Sequence, residues 1–101
     1  MFSVNVVDDV TISLVGLIGN ETANEANALL KEHVRNRANS SLVIDLVKLQ
    51  SVSSVVLSLL LCGLRAAKEV RCNLSYKNMP QDLYNMARVS GIESILLKTE
   101  A

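Results

Sequence analysis

Tryptophan is absent from this sequence, phenylalanine occurs once and tyrosine twice. Ten basic residues are balanced by ten acidic ones, so the formal net charge is zero. Nucleic-acid sites need a basic footprint, so this balance gives no reason to expect a nucleic-acid partner. Proline occurs once and glycine four times, too few for long flexible or polyproline linkers. The two cysteines, Cys62 and Cys72, match no zinc or redox spacing. They read as two buried free thiols in a reducing compartment.

Long hydrophobic runs are also missing. The longest, over residues 55–64, is broken by Ser58 and Gly63. It falls well short of the ~20 residues that cross a bilayer, so no direct membrane insertion is expected. Residues 1–7 carry no basic opening and no long apolar centre. No secretory leader is therefore read there, and the expected location is the cytoplasm. Three Asn-x-Ser/Thr triplets, at Asn20, Asn39 and Asn73, carry no weight without secretion.

What remains is a chain of 101 residues, half of them hydrophobic, which suits one domain over 1–101. Phe2, Val4 and Val6 alternate with polar residues, and so do Val10, Ile12 and Leu14. With Asp8-Asp9 between them, the two runs predict a β-hairpin. Thr22 and Glu25 have capping-box spacing, predicting a helix that runs to about Ala38. Ala23, Ala26, Leu30 and Val34 form its apolar stripe. His33 lies on this helix with no ligand-forming neighbour at useful spacing, and reads as a solvent-facing or flanking side chain.

Leu42-Val-Ile-Asp-Leu46 is nearly continuous in aliphatic residues and predicts a central strand covered on both faces or nearly so. Asp45 interrupts it and needs donors, which backbone N–H groups or the hydroxyls of Ser51 and Ser53 can supply. Ser53 or Ser54 caps a second helix. Val56, Leu60, Leu64 and Ala67 share the side that should face the sheet. Ser58, Arg65 and Glu69 cluster opposite, and Val55, Leu59, Cys62 and Ala66 lie on one flank. That apolar surface exceeds what a helix covered on one side requires. Either neighbouring helices sandwich it or its N-terminal end is a docking surface. Residues 71–76 predict a strand nearer an edge. Pro80 opens a third helix, with Leu83, Met86, Ala87 and Val89 on its inner face and Gly91 ending it. Ile92, Ile95 and Leu96 are expected to close the core, and the last four residues to be loose. Strands alternating with helices predict an α/β fold, and the opening hairpin makes its sheet mixed.

Reactive chemistry is sparse. No Ser-His-Asp spacing, no H-E-x-x-H, no paired Cys clusters and no Walker loop occur. No catalytic residue, metal site or cofactor is expected. The distinctive polar feature is the hydroxyl cluster Ser51, Ser53, Ser54 and Ser58. A serine at a helix N-terminus can cap it, or can carry a phosphate where the helix tolerates an anion.

The order of these segments resembles a STAS domain. The hairpin ends in Val15-Gly16-Leu17-Ile18, the central strand in Val43-Ile-Asp-Leu46, and residues 52–61 lie over the family's hydroxyl motif and Leu-rich helix. Met86-Ala-Arg-Val-Ser-Gly-Ile92 is similar to its late helix. The resemblance implies the STAS fold: a single mixed sheet of four to five strands with helices packed on it. Within the family the chain most resembles the MlaB-type subunit of the Mla phospholipid ABC transporter, which also has a pattern similar to Tyr84-Asn-Met-Ala87.

By this resemblance the chain is not an enzyme. It is a cytoplasmic subunit held peripherally at the inner membrane by the transporter's ATPase subunit and permease. Ser54 matches the family's phosphorylatable or partner-contacting position. Ser53, Val55, Ser58, Leu59 and Cys62 would line the partner interface, flanked by Asn20 and Thr22. The alternative is an anti-sigma-factor antagonist, with a serine kinase as partner and Ser54 as its switch. Here Ser53 replaces the acid that precedes the family's hydroxyl, and Val55 and Val56 replace the small residues after it. These departures suit a constitutive interface better than a phospho-switch. A small enzyme or ligand-binding domain is the remaining reading, weakened by the missing catalytic groups.

Overall fold

The computed structural model describes residues 2–50, 53–89 and Gly91. Its elements are β1 (Phe2–Val6), β2 (Thr11–Gly16), α1 (Ala23–Arg35), β3 (Ser41–Asp45), α2 (Ser54–Glu69), β4 (Asn73–Lys77) and α3 (Gln81–Val89). They form an α/β fold with one mixed four-stranded sheet, ordered β1-β2-β3-β4. β1 is antiparallel to β2, while β2–β3 and β3–β4 are parallel. Parallel neighbours need a crossover, and α1 and α2 supply the two that this sheet requires.

The hairpin is looser than the alternation of valines predicts. Val7 and Val10 lie in a four-residue loop rather than in the strands. The Val7 and Asp8 N–H groups both donate to the Thr11 carbonyl, at 2.9 and 3.2 Å. Asp8 Oδ1 accepts from the Val10 N–H at 2.9 Å, an Asx-type turn that replaces the expected two-residue connection. That backbone bond is the main reason the Asp8 carboxyl sits below the usual range.

β2 is an interior strand. Ile12 and Leu14 enter the core, and Thr11 and Ser13 on the other face are also buried. β3 buries Leu42 and Ile44 completely, with Val43 and Asp45 half-covered behind them. Asp45 finds its donors in the Val47 N–H (3.0 Å) and the Asn78 carboxamide (2.9 Å). Ser53 is not one of them, and Ser51 lies outside the described residues.

α1 buries Ala26, Leu30 and Val34 at spacing four, as its stripe requires. Ala23 is only half-buried. The capping box does not form: Thr22 has helical backbone angles and its side chain makes no capping bond. Its hydroxyl turns back instead, accepting from the Gly19 N–H at 3.2 Å. The helix ends at Arg35, three residues before Ala38, and the chain turns through Asn39 at φ 59°.

α2 is covered on several sides. Val56, Leu57, Leu59, Leu60, Gly63, Ala66 and Ala67 are buried, and the helix packs against α1, β4 and α3. Leu64, expected to face the sheet, is half-buried beside the core. The helix closes in a Schellman motif: the Cys72 N–H bonds the Ala67 carbonyl (2.8 Å) and the Arg71 N–H bonds that of Lys68 (3.4 Å). Arg71 holds the left-handed position of that motif at φ 57°.

α3 follows Pro80 and buries Leu83 and Ala87. Val89, expected on its inner face, is instead 88% exposed at the last position of the helix. Gly91 takes the left-handed φ (75°) that a terminating glycine supplies. The expectations for Ile92, Ile95, Leu96 and the last four residues lie outside the described residues.

Candidate functional site

The C-terminal ends of parallel strands are where open α/β sheets place their sites. Here a backbone clamp shapes that end. The Gly16 N–H donates to the Lys48 carbonyl (3.1 Å), and the Gln50 N–H donates to the Gly16 carbonyl (2.8 Å). The segment after β3 is thereby fastened to the end of β2. Leu17 and Val47 stay out of the core, 52% and 61% exposed. Neither was expected at the site, since a lone loop aliphatic carries no periodic signal.

α2 begins at this end. Ser53 is its N-cap, with extended backbone (φ −161°, ψ 167°), and its hydroxyl accepts from the Val56 N–H at 3.4 Å. The first helical bond runs from the Leu57 N–H to the Ser53 carbonyl (3.1 Å). This settles which serine caps. Ser54 is the first helical residue and is exposed. No acidic residue lies in the first turn of α2, so none of that turn's own side chains balances the positive end of the helix dipole.

One turn further, α2 and α1 diverge into a groove of about 230 Å³. Val55, Ser58, Leu59 and Cys62 line it from α2; Asn20, Ala23, Asn24 and Asn27 line it from α1 and the loop before it. Five residues singled out above, Asn20, Val55, Ser58, Leu59 and Cys62, thus share one concave surface. The other three do not line it. Ser53 is engaged in capping, Ser54 stands before the groove on the same helix, and Thr22 closes the tight loop that carries Asn20. Leu59 is 4% exposed and forms floor rather than rim.

The groove is amide-rich on one wall and aliphatic on its floor. Asn27 Oδ1 is buried without a hydrogen-bond partner among the described residues. Such an acceptor is costly to leave unpaired, so it favours a donor arriving from outside. Cys62 also lines a second depression of about 200 Å³, walled by Lys31 and Arg35 of α1 and Arg65, Ala66 and Glu69 of α2. Arg65 and Glu69 were read together on α2, but the meeting of three cations was not. The four-residue spacing of Lys31 and Arg35 was the available signal, but only packing of α1 on α2 brings Arg65 to them.

Among the described residues no group of three His, Cys, Asp or Glu side chains is placed to hold a metal ion. Cys62 and Cys72 are free thiols; Cys72 is buried as expected, which raises its pKa, whereas Cys62 is only half-buried because it lines the groove. No described helix is long and apolar enough to cross a membrane. The arrangement can bind: it offers an exposed hydroxyl, a helix N-terminus and a shallow groove. A family model described as "Mlab, STAS domain" matches residues 4–98. No curated protein matches the chain.

Proposed function

Since the chain belongs to the MlaB-type STAS domain family, we propose that it is a non-enzymatic subunit that binds the ATPase of a phospholipid-trafficking ABC transporter. It would act in the cytoplasm, held at the inner membrane through the ATPase and its permease, and support assembly or activity of the complex. The observation that carries this reading is the N-terminal end of α2. Ser53 is spent on the cap, while Ser54 is exposed and leads directly to Val55 and the groove. The surface is neutral and partly apolar, which suits a standing protein contact. Ser54 and Val55 would meet the ATPase, with Ser58, Cys62 and Asn20 beside them.

A second reading, an anti-sigma-factor antagonist switched by phosphorylation, is favoured by one feature. Ser54 occupies the first helical position, where unpaired N–H groups and the helix dipole accommodate a phosphate.

Affinity capture from the native membrane fraction, comparing wild type with Val55→Asp, tests both. Recovery of an ABC ATPase and permease with wild type, and their loss with a folded variant, supports the first reading. Recovery of a serine kinase whose binding Ser54→Asp abolishes would replace it with the second.

A further inference from the structure

Among the described residues the sheet has two edges, β1 and β4, and they are built differently. β4 ends on Lys77 and follows Arg71, cations that discourage a second strand from pairing there. β1 reads Phe-Ser-Val-Asn-Val, with no charge, no proline and an unbroken register against β2. Its own residues thus carry none of the charges, prolines or bulges that protect an edge.

Its main chain points outward at defined residues. The Val7 N–H donates to the Thr11 carbonyl. Hydrogen-bonded and non-bonded pairs alternate along an antiparallel ladder. Asn5 and Ser3 therefore turn their backbone groups toward β2, and Phe2, Val4 and Val6 turn theirs to the open edge. The side chains of these three share the core face, because Val4 lies opposite Leu14 and Val6 opposite Ile12, both buried. Phe2 and Val4 pack against the core, yet Val6 remains 69% exposed. An aliphatic side chain on the core face thus lies uncovered at an unprotected edge.

We propose that β1 pairs with β1 of a second copy of this chain, antiparallel and centred on Val4. The pattern is self-complementary under that two-fold. Val4 exchanges both backbone hydrogen bonds with its counterpart, and Val6 and Phe2 exchange theirs across the pair. Phe2, the only phenylalanine in the chain, then covers Val6 of the second copy, an aromatic–β-branched pair that stabilises sheets. Ser3 meets Asn5 on the opposite face. The two Asp8-Asp9 turns fall at opposite ends of the paired strands, so their charges do not meet. The product is one continuous sheet of two four-stranded halves, with both α1–α2 grooves outside the contact.

Sedimentation velocity of the full chain from micromolar concentration to about 1 mM tests this. The wild type is expected to shift from monomer to dimer as concentration rises. Val6→Lys, at a position exposed enough to leave folding intact, is expected to weaken the dimer at least about tenfold by placing a charge at the edge. Val4→Pro removes the central outward N–H and is expected to abolish the dimer. Val55→Asp, in the groove, is expected to leave it unchanged. Circular dichroism and melting of Val6→Lys confirm the fold. A wild type that stays monomeric throughout overturns the proposal, as does a dimer that survives Val6→Lys or dissociates with Val55→Asp instead.

Discussion

The hydroxyl oxygen of Tyr76 occupies the space where a side chain on Gly63 would begin: a Cβ built on that glycine lies 2.6 Å away. The hydroxyl donates to the Leu60 carbonyl at 2.6 Å, and the ring is fully buried. Burial drives the Tyr76 pKa far upward, so the phenol stays a donor. α2 approaches β4 this closely because it carries glycine at the crossing. Alanine is the better helix former by about 1 kcal/mol, but overpacking typically costs about 1–3 kcal/mol. Gly63→Ala is expected to destabilise the protein by up to about 2 kcal/mol in urea unfolding. Combined with Tyr76→Phe, which removes the obstructing oxygen, it should cost less than the two single changes added.

Ser53 and Ser54 are neighbours with different roles, and stability separates them. Removing a serine N-cap costs about 1 kcal/mol, so Ser53→Ala should lower the melting temperature by several degrees. Ser54→Ala should change stability by less than about 0.5 kcal/mol. Ser54→Asp should not destabilise the fold, since an anion at the first helical position is favourable. If Ser54→Ala proves the costlier change, the cap has been assigned to the wrong residue.

Arg71 sits where the Schellman motif prefers glycine, in a conformation that costs most L-residues about 1–2 kcal/mol. Glycine gives back part of that gain as entropy of the unfolded chain. Arg71→Gly is therefore expected to raise stability by about 0.5–1 kcal/mol, read as an increased denaturation midpoint at unchanged slope.

Asp45 makes stability depend on pH. Burial pushes its carboxyl up, but the Asn78 and Val47 hydrogen bonds and the charges of Lys77 and Lys48 outweigh this and hold it below the ordinary range. A carboxyl lowered by folding contributes stability that is fully present above its unfolded pKa. That contribution is lost as pH falls through the folded value, here below about pH 4. Asn78→Gly keeps the left-handed backbone (φ 58°) but removes the donor. The Asp45 titration, followed by NMR, should move upward in that variant, and part of the acid-sensitive stability should disappear.

Periodic features were legible in the sequence. Ala26, Leu30 and Val34 are buried because spacing of four returns a helix to the same face, and Ile12 and Leu14 because alternation does so in a strand. Gly91 was readable as a stop, since few other residues take its backbone angle without strain. Features set by a distant partner were not. Gly63 looked like an interruption of an apolar run until Tyr76 supplied the reason for it. Val10 alternated with Ile12 and Leu14 like a strand residue, but Asp8 bonded its own backbone and widened the loop. Thr22 had capping spacing and used its hydroxyl on Gly19. At the groove, Val55 and Cys62 share a helix flank that spacing reveals, and Ser58 borders it from the next face. Asn20 joins them, Ser53 and Ser54 stay outside, and Leu59 sinks to the floor through the way α1 lies on α2, which neither helix's own pattern encodes.

The order of the strands bears on how the chain assembles. Among the described residues every spatial neighbour in the sheet is also the next strand in sequence. No strand must wait for a later one to fill a gap beside it. As the chain leaves the ribosome, β1 and β2 can close first at the cost of a short loop, and each later strand arrives at an edge already formed. Loop-closure entropy is met in small instalments rather than in one long search. The same economy means that, until the rest of the chain has emerged, the growing sheet exposes a bare parallel edge, the moment at which this fold is most open to mispairing.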